Sequence, residues 1–138
     1  MTSFYRCFTV VLVCLFGLAG CFGSVADQTG LNPAERIEID DDYATEVVVD
    51  RGDVLAVDLA SPLGKGYRIS AASFDPSMIR MERFLEYTEG EERRVRYLFT
   101  VLMDGTSDIL IKMRPIDGGA EEVFRQVTVK TNAQDGLF

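Results

Sequence analysis

From Ile37 onward, apolar and polar residues alternate in short runs, with turn residues about every ten positions. A period of two is the signature of a strand with one face buried and one face exposed. Arg36–Asp40 is a short edge candidate, and Thr45–Asp50 is a strand. Asp53–Ala60 puts Leu55, Val57 and Leu59 on one face and Asp58 on the other. Tyr67–Phe74 follows, then Met78–Tyr87 with Ile79, Met81 and Phe84. Arg93–Leu102 alternates most cleanly, with Val95, Tyr97, Phe99 and Val101 inward and Arg94, Arg96 and Thr100 outward. Asp108–Arg114 sets Ile109, Ile111 and Met113 on one face, and Val123–Thr131 closes the series with Val127 and Val129 inward. No run has sustained helical spacing. The pattern predicts an all-β fold, an antiparallel β-sandwich of about seven to eight strands.

The joins differ in kind. Arg51-Gly52-Asp53 and Asp104-Gly105-Thr106 read as tight turns in which glycine supplies a positive φ. Three others are longer: Ser61–Gly66, Thr88–Glu92 and Pro115–Ala120. In a Greek-key sandwich alternate connections emerge at the same end, and these three are two strands apart, so they can form one composite surface.

The first twenty residues break the pattern. Cys7–Gly20 is uncharged and apolar behind the single charge of Arg6, which is the layout of a secretory leader and too short for a ~30 Å hydrocarbon core. Leu18-Ala19-Gly20-Cys21 resembles a bacterial lipobox, whose cysteine is acylated and becomes the mature N-terminus. Ordinary cleavage after Ser24-Val25-Ala26 is the rival, and would release a soluble secreted protein. The expected layout is a lipoprotein signal peptide over 1–20, a flexible tether with lipidated Cys21 over 21–35, the sandwich over 36–132 and a C-terminal tail over 133–138. The expected location is the bacterial cell envelope, exported and held at the membrane by lipid. At ~0.8 kcal/mol per buried CH₂, two or three chains make such attachment effectively permanent.

Composition narrows the chemistry. Arg6 is the only charge within 1–20, which leaves 13 of the 14 bases against all 22 acids, a net charge of −9. That argues against nucleic acid as a partner and against electrostatic adhesion to anionic lipid. The chain has no histidine, so the commonest general base and metal ligand is missing. Its three cysteines are Cys7, Cys14 and Cys21, so the mature chain keeps one thiol and no intrachain disulfide. We expect no enzyme, no catalytic residue, no metal, no cofactor and a monomer. Individual motifs are weak. Arg51-Gly52-Asp53 reads as a turn rather than an adhesion tripeptide, and Asp40-Asp41-Asp42 as a solvated acidic turn rather than a calcium loop. Gly64-Lys65-Gly66 lacks phosphate-loop spacing and a following helix. The cluster Glu89, Glu91, Glu92, Arg93, Arg94, Arg96 reads as a hydrated loop and strand face.

The strand GDVLAVDL, the loop ending Lys65-Gly66-Tyr67, the strand YLFTVL, the turn with Gly105, the strand ILIKMRP and the closing FRQVTVK resemble chagasin-type inhibitors of papain-like cysteine peptidases. The resemblance runs from Val47 to Thr131. It implies an immunoglobulin-like sandwich that inserts three loops from one end into a protease cleft, with a papain-like cysteine peptidase as partner. Carried onto this chain, the inhibitory loops are Pro62, Leu63, Gly64, Lys65, Gly66 and Tyr67, then Glu89, Gly90 and Glu91, then Arg114, Pro115 and Ile116. Pro62, Gly66, Tyr67, Arg114 and Pro115 follow the family pattern. Leu63, Gly64 and Lys65 replace its asparagine, proline or threonines, Gly90 stands alone among acids, and Ile116 replaces an aromatic residue. The alternative is a non-inhibitory envelope-binding module on the same scaffold.

Overall fold

The computed structural model describes residues 30–132. The expected leader, the expected lipidation at Cys21, the expected tether up to residue 29 and the expected tail 133–138 lie outside the described residues. Eight strands follow one another: β1 Glu35–Glu38, β2 Ala44–Val48, β3 Val54–Ala60, β4 Tyr67–Ser73, β5 Ile79–Glu89, β6 Glu92–Val101, β7 Thr106–Pro115 and β8 Glu122–Lys130. They form two four-stranded sheets, ordered β1-β3-β6-β5 and β2-β8-β7-β4. This is the immunoglobulin arrangement: the chain changes sheet at the β1–β2, β2–β3, β3–β4, β4–β5 and β6–β7 joins, while β5–β6 and β7–β8 are hairpins within one sheet.

The ladders are antiparallel except at two edges. β1 runs parallel to β3, and β2 runs parallel to β8. The Ala34 N–H already donates to the Val54 carbonyl at 2.9 Å, and Glu35 opens β1.

Alternation builds the core as expected. Leu55, Val57 and Leu59 of β3 and Val95, Tyr97, Phe99 and Val101 of β6 face Ile109 and Ile111 of β7 and Val127 and Val129 of β8 across the sandwich. Phe99 is fully buried at its centre. Its ring stacks on Tyr97 at 5.6 Å and meets Phe74 edge-on at 5.6 Å. Burial, together with the charge of Glu86, pushes the Tyr97 phenol up to about 12.

Where the period slips, the expectation slips with it. β7 and β8 lose register between Ile111 and Lys112, so Phe124 becomes an unpaired extra residue that packs on the core. Met113, expected beside Ile109 and Ile111, is only half-buried and stands outside that core. Further irregularities leave Ser70 of β4 and Glu82 of β5 unpaired. Because β5 is an edge strand, Met81 and Phe84 stay substantially exposed.

The largest correction concerns the outer face of the β1-β3-β6-β5 sheet. Asp58 does point away from the core, yet it is only 1 % exposed. Arg96 closes over it with two hydrogen bonds, Nε to Oδ1 at 2.6 Å and Nη2 to Oδ2 at 3.0 Å. The Tyr87 hydroxyl donates at 3.2 Å, and Arg36 stands 3.9 Å away. The Asp58 hydrogen bond is the main reason the Arg96 guanidinium holds its proton more tightly than usual. Arg94 and Arg96 were expected on a hydrated face. Arg94 is in fact 4 % exposed, and Arg96 is largely covered.

Candidate functional site

The first loop is not an open loop. Residues Pro62–Lys65 wind into one turn of 3-10 helix. Ser61 caps it, its Oγ accepting from the Leu63 N–H, and Pro62 supplies a preset φ at the first position. Gly66 ends it in the left-handed region at φ +84°, with its N–H donating to the Leu63 carbonyl at 3.1 Å. The winding buries Pro62 and leaves Gly64, Lys65 and Gly66 exposed, with Leu63 half-buried. Pro62 therefore roots the turn rather than presenting itself. Tyr67 begins β4, half-buried.

The second loop is shorter than its composition implies. Glu89 pairs with Glu92, so only Gly90 and Glu91 lie outside the ladder. Gly90 takes φ +62° while Glu91 does not leave the negative region, as a tight hairpin with glycine at its first central position requires. The third loop turns at Pro115, whose carbonyl accepts from the Gly118 N–H at 3.2 Å. Ile116 is exposed at its tip, and Arg114 is half-buried just before it.

The structure brings these three segments together in series, with the first loop in the middle. The Ser61 N–H donates to the Arg93 carbonyl at 2.9 Å, tying the first loop to β6 just beside the β5–β6 turn. The Ile116 N–H donates to the Gly66 carbonyl at 3.0 Å, tying the third loop to the first. Between the first loop and the hairpin lies an open cleft of about 210 Å³, lined by Ser61, Leu63, Tyr87, Thr88, Arg93 and Arg94 among others. Lys65 and Glu91 are exposed and lie outside every ion pair found among the described residues. Glu121, at the far end of the third loop, accepts from Ser70 Oγ at 2.7 Å and stands within 4 Å of Lys112 and Arg114. That hydrogen bond, with the two cations, lowers its pKa.

Beneath the loops sits a pair that sequence reasoning left in solvent. Asp40, read as part of a solvated acidic turn, lies just past β1. Its Oδ1 accepts from the Ala60 N–H at 2.7 Å, one residue before the first loop. Arg94 Nη1 donates to Asp40 Oδ2 at 2.9 Å, and Nη2 donates to Oδ1 at 3.2 Å. On its other side Arg94 Nη1 donates to Glu92 Oε2 at 3.3 Å, and its Nε lies 3.6 Å from Glu89 Oε2. Arg125 of β8 donates to the Ile39 and Asp40 carbonyls, so the opposite sheet holds the same corner. Burial pushes the Asp40 carboxyl upward, but the hydrogen bonds from Arg94 and Ala60 and the guanidinium charges outweigh it and leave its pKa lowered. The hydrogen bond to Asp40 correspondingly raises Arg94, against its desolvation.

Among the described residues no group of acidic, cysteine or histidine side chains is arranged to hold a metal ion. Asp40 is engaged by Arg94 rather than by its neighbours Asp41 and Asp42. The Arg51-Gly52-Asp53 stretch is a turn, with the Asp53 N–H donating to the Asp50 carbonyl.

No family model matches the chain, and no curated protein matches it. Solved structures do. The cysteine protease inhibitor EhICP2 from Entamoeba histolytica superposes with a TM-score of 0.54 at 17 % identity, over 72 % of this chain and 99 % of that one. PbICP-C in complex with falcipain-2 gives a TM-score of 0.49 at 14 % identity, over 70 % of this chain and 98 % of that one. Amebosin gives 0.45 at 13 %, over 72 % and 99 %. What the chain shares with EhICP2 is its fold.

Proposed function

We propose that this chain is an exported, lipid-anchored inhibitor of papain-like cysteine peptidases, of chagasin type, that blocks the active-site cleft without chemistry. The observation that carries the reading is the end of the sandwich where three loops stand side by side, bonded in series through Ser61–Arg93 and Gly66–Ile116. The fold shared with EhICP2, itself a cysteine protease inhibitor, supports it. Loops ordered by a rigid sandwich lose little entropy on docking, which is how a wedge of modest area gains affinity. Leu63–Gly66, Gly90–Glu91 and Ile116 form the contact surface, and Pro62, Tyr67, Arg114 and Pro115 hold it.

The full chain, purified in mild detergent, is expected to inhibit at least one papain-like peptidase reversibly and competitively, without being cleaved. Gly66→Val is expected to weaken that inhibition at least tenfold while the circular dichroism of the sandwich is retained. An added Cβ at Gly66 meets nothing within 4 Å, so the effect comes from backbone strain at φ +84°, which moves the carbonyl that holds Ile116. A folded chain that inhibits no member of a broad panel at high micromolar concentration would sink the reading.

One observation favours the alternative, an envelope-binding module. The 3-10 winding withdraws Pro62 and shortens the projecting part of the first loop to Leu63–Gly66. Capture of an envelope component without peptidase inhibition would be its mark.

Attachment is tested separately. The wild type is expected in the membrane fraction, and Cys21→Ser is expected to lose lipid labelling there. A mature wild type that is already soluble and unlabelled would mean cleavage after Ala26.

A further inference from the structure

We infer that Arg94 is a positioning residue that sets the spacing between the first loop and the β5–β6 hairpin from beneath, without touching a partner. As far as the partner is concerned, the inference rests on the inhibitor reading. The geometry points to a clamp. The Arg94 side chain is 5 % exposed and grips two separate chain segments. Through Asp40 it reaches the Ala60 N–H, the last backbone donor before the first loop. Through Glu89 and Glu92 it reaches both strand ends of the hairpin, the pair that closes the Gly90–Glu91 turn. The Ser61–Arg93 hydrogen bond is the next rung along, so the clamp and the contact between the loops share one frame.

Charge explains why this must be an arginine. Three carboxylates, from Asp40, Glu89 and Glu92, converge on one guanidinium. Without it they repel, and the hairpin has a reason to swing away from Asp40. The planar fork answers Asp40 with two parallel hydrogen bonds and still offers Nη1 and Nε to the hairpin. A lysine offers a single point charge and cannot hold both sides in fixed geometry. The buried Nε has no hydrogen-bond partner and faces Glu89 at 3.6 Å, which marks the hairpin side as the weaker, more adjustable grip. Asp40, anchored by Arg125 to the opposite sheet, is the fixed side.

The test is amide hydrogen exchange on the full chain, comparing wild type with Arg94→Met, Arg94→Lys and Asp40→Asn. Arg94→Met is expected to speed exchange at Ala60, Ser61, Glu89 and Glu92 at least tenfold, with Leu55, Val57 and Val127 unchanged. Arg94→Lys is expected to fall between, restoring charge but not geometry. If Arg94→Met does not fold, Asp40→Asn carries the same comparison from the other side. Unchanged exchange at Ala60 and Ser61, or acceleration spread uniformly through the core, overturns the clamp, since a merely stabilising pair would act globally. The partner arm uses the peptidase that wild type inhibits. The dissociation rate is expected to rise at least tenfold in Arg94→Met while the association rate changes less than threefold. Loosened loops with wild-type inhibition would overturn the clamp's role at the binding end. A wild type that inhibits nothing overturns the inhibitor reading instead, and the exchange comparison still decides the clamp.

Discussion

Arg96→Met is expected to destabilise the sandwich by about 3–5 kcal/mol, the range for removing one partner of a buried ion pair. The size follows from which charge is left behind. Asp58 has a side chain only 2 % exposed, and Arg96 supplies both of its charged hydrogen bonds. The Tyr87 hydroxyl and the more distant Arg36 remain, and neither replaces a bidentate fork. Asp58→Ala is expected to cost less, because the stranded Arg96 is 17 % exposed and can turn its head into water. Replacing both, as Arg96→Met with Asp58→Leu, is expected to recover most of the loss, since the pair's net worth is small once its desolvation is counted. Thermal unfolding reads the series at roughly 4–8 °C per kcal/mol for a domain of this size. If Arg96→Met and Asp58→Ala cost the same and the double variant costs their sum, the two residues are not a buried pair.

That network also marks the boundary of what the sequence made legible. The period of two in β3, β6 and β8 identified the inward residues Leu55, Val57, Leu59, Val95, Tyr97, Phe99, Val101, Val127 and Val129, and all are buried. The same period put Arg94, Arg96 and Asp58 on the opposite face, correctly, but a period says only which side a residue points to. Whether that side is wet depends on what folds over it. Here the cover comes from Arg36 on β1, a strand that meets β3 only in the finished sheet, and from Tyr87 on β5, which reaches Asp58 across the intervening β6. The parallel pairing of β1 with β3, which carries Asp40 alongside Ala60, has no local signal at all, since no hairpin turn announces it.

The loops divide differently. Their gathering at one end follows from the alternation of connections in a Greek key, which the two-strand spacing of the three turns already suggests. Their conformations are not suggested by that spacing. Ser61-Pro62 followed by Gly66 has the capping grammar of a short helix, a side-chain acceptor, a preset φ and a glycine stop, yet four residues are too few to show helical periodicity. In the second loop the ladder simply continues through Thr88 and Glu89, because cross-strand hydrogen bonding tolerates acidic residues on an exposed hairpin. At Met113 and Phe124 a register shift moved one residue out of the core and another in. A single unpaired residue leaves no trace in an alternating pattern short enough to be read either way.

Phe99→Ala is expected to cost about 3–5 kcal/mol, the range for truncating a buried aromatic residue. The upper part of the range fits the surroundings. Phe99 lies in the C-terminal half of β6, a strand bonded on both sides, opposite Leu55 and Met81. Its ring fills the space between Phe74 and Tyr97, and the backbones of two flanking strands fix the walls, so the cavity has little room to collapse. Phe84 makes the internal comparison. It also packs against Tyr97, at 4.9 Å, but it is 41 % exposed on the edge strand. Phe84→Ala loses contact on one side only and is expected to cost about 1 kcal/mol, a fraction of the ~1.5–3 kcal/mol gained by fully burying a large apolar side chain. Urea unfolding of both variants with unchanged m-values separates the two numbers cleanly. Equal losses would mean that β6 is not the centre of the core. A Phe99→Ala loss below about 2 kcal/mol would mean that the sandwich refills the space by shifting Tyr97. The position of Tyr97 would then decide more than stability, because Val95, Tyr97 and Phe99 are one face of the strand that delivers Arg93 and Arg94 to the loops, and a core free to slide there could not hold that end of the sandwich still.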